Sequence, residues 1–153
     1  MSLLESFLKL GKESKVKKIS ELSKQVIISK RFTNDDGNYL PFTIKAMDED
    51  TLEVLNQKYN KTKIVDGVLV EQFDRVGWQS ELLVESVVDP DLKNTDLCKQ
   101  YGTMDPTQLV RKMLLPGEYL KLLKEVMTLN GYYDDFSNFS KKDEEILEVA
   151  KNS

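Results

Sequence analysis

Acidic side chains are the commonest groups in this chain that could do chemistry. Asp89 and Asp91 flank Pro90, Asp134 and Asp135 are adjacent, and Asp48, Glu49 and Asp50 run together. Two carboxylates around Pro90 could grip a cation, but a calcium loop needs further oxygen ligands at fixed spacing, and none follow. Each group also has an ordinary backbone role. Pro90 halts a helix while Asp91 begins a turn, and residues 48–50 gather where a helix start favours negative charge. The sequence has no His and a single Cys, Cys98. That removes Cys/His zinc sites, Ser-His-Asp and Cys-His nucleophiles, and the commonest general base near neutral pH. No phosphate-cradling glycine loop is present, because the seven glycines lie scattered at turns and caps. Lys112 and Glu118, beside the Pro116-Gly117 corner, have two readings: they bridge the corner, or they bind something. The residues therefore point to an interaction domain without catalysis, cofactor or metal.

The 153 residues suffice for one domain with an ordinary core, and the 31% charged fraction implies a heavily charged surface. No apolar run approaches the roughly 18–20 residues of a membrane span. The opening MSLLESFLKLG is too short and too acidic for a signal peptide, so a cytoplasmic location is expected. The net charge of −4 hides an asymmetry, with +5 over residues 1–31 and −9 over the remainder. No aromatic residue lies between Phe7 and Phe32, so the basic segment 9–31 carries no base-stacking platform. Its simplest reading is a solvated face. An alternative is a small regulatory or DNA-associated protein that grips phosphate through this segment, with strongly salt-dependent binding.

Three regions are expected: a docking helix and polar tether over 1–18, a main domain over 19–131, and an aromatic loop with a charged helix over 132–153. Ser2 and Glu5 form a capping box for a short helix ending at Gly11, which carries Leu3, Leu4, Phe7 and Leu8. Such a helix is too short to be stable alone and must dock on its own domain or on a partner. Gln25–Phe32 and Tyr39–Ala46 predict a hairpin around Asp36-Gly37, with Pro41 placing the second strand, or at least its start, at an edge. Asp48 caps a helix whose inner stripe is Leu52, Leu55 and Tyr59, and Asp66-Gly67 turns a second hairpin with very short arms. Asp74 caps a helix over 75–88 with Trp78, Leu82, Val84 or Glu85, and Val88 inward.

Asn94 caps a short helix released at Gly102, and Asp105-Pro106 with Gln108 opens the next, with Leu109, Met113 and Leu114 inward. Pro116 starts the most regular helix, on which Tyr119, Leu122, Leu123, Val126 and Leu129 keep helical spacing until Gly131. Beyond it, Tyr132, Tyr133, Phe136 and Phe139 stand among polar residues, as an interface or as a lid over helix 118–130. The expected fold is α+β, mainly α: a β-hairpin near the N-terminus packed on five to six short helices.

The wording of two stretches is similar to a known family. VVDPDLKNTDLCKQYG at 87–102 holds Pro90, Asp91, Leu92, Tyr101 and Gly102. RKMLLPGEYLKLLKEVMTLNG at 111–131 holds Met113, Leu114, Leu115, Pro116, Gly117, Glu118 and Tyr119, and closes on Asn130-Gly131. Both resemble the phage tail assembly chaperones of the XkdN-like type, from PBSX-like prophages and related contractile tails of Gram-positive hosts. SKRF…DG over 29–37 and the Phe7-Leu8 pair extend the resemblance. It implies a virion-assembly factor absent from the mature particle. Such a factor would hold the tape measure protein soluble while tube subunits polymerise, with the tail tube protein and self-association as further contacts. Leu3, Leu4, Phe7 and Leu8, with Tyr132, Tyr133, Phe136 and Phe139, are the candidate partner-binding residues.

Overall fold

The computed structural model describes residues 2–133, so the expected C-terminal helix, Phe136 and Phe139 lie outside the described residues. The described chain is α+β and mainly α, with six α-helices and five strands. Helix α1 (Leu3–Lys12) is followed by a single 3-10 turn and strand β1 (Ser23–Val26). Strand β2 (Phe42–Lys45), helix α2 (Glu49–Tyr59) and the ribbon β3 (Asn60–Val65) and β4 (Val68–Phe73) come next. Helix α3 (Arg75–Ser86) runs directly into β5 (Val87–Asp89), and α4 (Thr95–Gln100), α5 (Pro106–Met113) and α6 (Pro116–Leu129) complete the chain.

Capping residues place most helix starts as the sequence predicts. The side chains of Ser2, Asp48, Asp74 and Asn94 each accept an N–H from the first turn. Asp105 caps α5 differently from a capping box: its carboxylate accepts both the N–H and the hydroxyl of Thr107, and Gln108 stays exposed. Helix α1 ends at Lys12 rather than Gly11, and Ser14, at φ 53, supplies the left-handed residue that closes it. The Lys15 N–H then reaches back to the Leu10 carbonyl.

The first hairpin pairs only at its base, where Ser23–Val26 lie opposite Phe42–Lys45. Its outer part is held by the Thr33–Tyr39 bridge and a turn in which Asn34 Oδ1 accepts the N–H groups of Asp36 and Asn38. The edge position expected for β2 is corrected by β5, which pairs its other side and makes β2 the central strand of three. Pro41 sits just before β2, where its missing donor breaks no rung of the ladder. Strand β5 is hidden in the sequence because Val87 and Val88 continue the apolar run of α3. The change of backbone turns Val88 outward to 52% exposure, against the inward position expected of it. The second hairpin has six-residue arms rather than very short ones, turning through Asp66 and Gly67, both at positive φ.

The core lies between the three-stranded sheet and the helices, with α3 in contact with α2, α5, α6 and β5. Ile44, Leu83, Leu109, Leu122 and Val126 are wholly buried there. Gly77 belongs to this packing. A Cβ on Gly77 would lie 2.5 Å from the Tyr59 ring and 2.6 Å from the Asp74 carboxylate that caps the helix. Helix propensity alone makes Gly77→Ala stabilising by about 1 kcal/mol. Here the added methyl must push the Tyr59 ring and disturb the cap, so the substitution should lower the thermal midpoint, as a melting curve would show.

Candidate functional site

The second motif stretch and the SKRF segment meet at one charged contact. The Arg31 Nε donates to Glu118 Oε2 at 3.1 Å, and its Nη2 donates to the other Glu118 oxygen and to the Met113 carbonyl at 3.1 Å. Glu118 also accepts the Leu115 N–H at 2.8 Å, closing the first turn of α6. The Arg31 guanidinium lies 4.8 Å from the centre of the Phe32 ring. A two-pronged arginine–carboxylate pair of this kind fixes orientation as well as charge. It fastens the arm between β1 and β2 to the corner between α5 and α6. Of the two roles open to Glu118, the geometry is that of a bridge. Lys112 turns instead toward the Gly102 carbonyl, at 3.4 Å.

The Arg31 hydrogen bond, assisted by that of Ser29 and the Leu115 N–H, lowers the Glu118 pKa to about 2 against burial acting the other way. A carboxyl whose folded pKa is depressed contributes stability above its unfolded value of 4.5, and that contribution is lost as pH falls from there toward 2. Glu118→Gln should therefore lower the urea midpoint at pH 6, while the difference from the parent chain shrinks as titrations approach pH 2.

Most other motif residues serve the fold. Leu92, Met113 and Leu114 are buried, and Cys98, also buried, lies with its Sγ 3.6 Å from the Leu92 carbonyl. Asp91 accepts the Lys93 N–H, so it makes the expected turn after Pro90. Tyr101 is half-buried against the core, and Gly102 and Gly131 take positive φ after their helices. The Tyr119 hydroxyl meets Ser80 Oγ at 3.1 Å. Asn130 accepts the Met47 N–H and donates to the Val126 carbonyl, tying the end of α6 to the start of α2. Pro116 occupies the first helical position, and Leu115 and Gly117 are exposed at the corner. Among the described residues, no three His, Cys, Asp or Glu side chains gather where a metal could be held. No described helix is long and apolar enough to cross a membrane.

The exposed apolar surfaces suited to a partner are formed mostly by other residues, although Phe7-Leu8 belong to the resemblance and Asn130 and Gly131 line the cleft beside Tyr132. Leu3, Leu4, Phe7 and Leu8 form one face of α1 and are 53–68% exposed, and no residue of α1 is buried. Tyr132 and Tyr133 are exposed where the described chain ends, and Tyr132 stands on the rim of a cleft of about 310 Å³. Met47, Leu52, Trp78, Leu82 and Met127 line that cleft, with Asp48 and Glu49 at its mouth. Sequence reasoning missed the cleft, because its wall comes from three helices far apart in the chain. It foresaw the hairpin β3–β4 but not its exposure: all twelve strand residues are exposed, Ile64 and Leu69 at 73% and 70%. The apolar run 64–70 carried a signal for strands but none for their lack of cover. Four of the eight basic residues in 1–31 are engaged by carboxylates: Lys9 and Lys15 with Glu13, Lys24 with Glu125, and Arg31 with Glu118.

A sequence profile described as "Phage XkdN-like tail assembly chaperone protein" matches residues 4–148. The chain is 32% identical over 130 residues to the phage-like element PBSX protein XkdN of Bacillus subtilis strain 168. That alignment covers 84% of this chain and 83% of the relative. The uncharacterized protein YqbN of the same strain is similar to the same extent. The crystal structure of YqbN superimposes with a TM-score of 0.63 at 28% identity, covering 77% of this chain and 91% of that one.

Proposed function

Because the chain belongs to the XkdN-like phage tail assembly chaperone family, we propose that it binds the tape measure protein and keeps it soluble while the tail tube assembles. The proposal extends to a contractile tail, and to action in the host cytoplasm by a factor that leaves no copy in the finished particle. The single observation that carries the contact is α1, an amphipathic helix on which Leu3, Leu4, Phe7 and Leu8 face solvent. A long helical client exposes apolar seams that would otherwise aggregate. A short helix with anchors at positions 4, 7 and 8 has the spacing used to lie against such a seam. Several copies along one client would gain strength from valency, and incoming tube subunits could displace them without a nucleotide or a catalytic step.

The phosphate-gripping alternative has less support, since half the basic residues of 1–31 already face carboxylates. Leu4→Ser, Phe7→Ser and Leu8→Ser together remove no buried contact, so the triple variant should keep the parent thermal midpoint. Co-expressed with the tape measure protein of the same particle, it should lose the soluble complex that the parent chain forms. Full retention of that complex by the triple variant would exclude α1 as the contact.

A further inference from the structure

We propose that the outer face of the ribbon β3–β4 is a second contact for the client, holding a client helix whose apolar stripe ends in carboxylates; this rests on the tape measure reading above. Residues paired across the ribbon share a face, so the register sets Lys61, Lys63 and Val65 beside Gln72, Val70 and Val68. The opposite face turns to the body at its root. There the Phe73 ring lies 5.9 Å from that of Trp78, and Asn60 and Phe73 border a hollow walled by Glu53, Asn56 and Gln57 of α2. The lysine face therefore looks away from the core, and all six of its residues are exposed.

The shape and charge of this face select its occupant. Lys61 and Lys63 on β3 and Glu71 on β4 guard the edges, since an added strand would have to bury them. A helix lying along the face leaves the lysine ammonium groups free at its flank, while their stems cover apolar surface. A helix about 10 Å across covers two strands about 4.8 Å apart, and six-residue arms about 20 Å long match about thirteen helical residues. Lys61 and Lys63 have no carboxylate within ion-pair distance among the described residues. The face is thus cationic near the body and apolar toward the turn, where Val65 and Val68 lie opposite each other. Its complement is a helix with Asp or Glu at one end of an apolar stripe. Helix α1 shows the same chemistry, with Leu3, Leu4, Phe7 and Leu8 followed by Lys9 and Lys12, and none of these is buried. Two uncovered surfaces of one character on one chain fit a single kind of partner, and engaging both strengthens the hold through valency.

The test uses the full chain co-expressed with the tape measure protein of the same particle, so that a soluble complex establishes client binding before the ribbon is probed. A carbodiimide joins a lysine amine to a carboxylate only where the two touch. The expected bonds run from Lys61 or Lys63 to Asp or Glu of the client, and amide exchange over 60–73 slows in the complex. Lys61→Glu/Lys63→Glu, at exposed positions, should keep the parent thermal midpoint. It should weaken the complex about tenfold, the scale of two reversed charge pairs at an interface rim. Replacing the crosslinked client carboxylates by Lys should restore the affinity of that variant and weaken that of the parent chain.

A complex that forms without these bonds, or that the lysine variant leaves unchanged, overturns the proposal and leaves the tape measure reading standing. So do bonds that join the lysines to residues 134–153 of the same chain, or to a second copy. If the parent chain forms no complex, the tape measure reading fails and this inference falls with it.

Discussion

Leu82 and Leu83 are neighbours in sequence, about 100° apart around a helix, and both are at most 2% exposed. A helix can bury two such positions, with Ser80, Val84 and Ser86 besides, only when other elements cover it on more than one side. Helix α3 is covered by α2, α5 and α6, and its C-terminal extension is a strand of the sheet. That burial sets the order of everything else. The three-stranded sheet is anchored to α3 through β5, and α2 packs so closely on α3 that a glycine is needed where the Tyr59 ring crosses. The arm between β1 and β2 gives Ile28 to this core and is fastened further along by Arg31 and Glu118.

The helix starts were legible because each is written in a few adjacent residues: a side-chain oxygen, often a proline, then apolar positions at helical spacing. The inward face of α6 could be read for the same reason, since Leu122 and Val126 lie one turn apart and both are buried. What depended on distant partners was not legible. Nothing near Val87 announces that it will pair with Ile44 in β2, so β5 read as the end of a helix. Leu83 and Val110 are absent from the inner faces predicted for their helices, yet they are core because neighbouring helices close over them. Arg31 looked like one more charge in a basic run, and only the fold brings it to a carboxylate 87 residues away.

The motifs that made the chain recognisable are mostly fold-making residues: a buried Leu92, a cap-like Glu118, an Asn130 that ties two helices. Family wording and exposed apolar surface therefore fall mostly on different residues, Phe7 and Leu8 being shared. The recognisable residues build a frame, and the exposed apolar groups sit on its periphery, on α1, at the end of α6 and on the β3–β4 ribbon. Such a division leaves the exposed apolar groups free of any part in the core. It also explains why a clear family resemblance said little about which side chains do the binding.

Among the described residues, the ribbon β3–β4 has no strand paired to either outer edge and carries an apolar tip, an arrangement prone to recruit foreign strands. Its sequence restrains that tendency. Lys61 and Lys63 stand on one strand and Glu71 on the other, Asp66 begins the turn, and the arms stop after six residues. Charges spaced along a short strand act as gatekeepers, because an incoming strand would have to bury them to extend the sheet. A ribbon exposed on every residue must resist pairing with other strands, and here that requirement falls on four charged side chains.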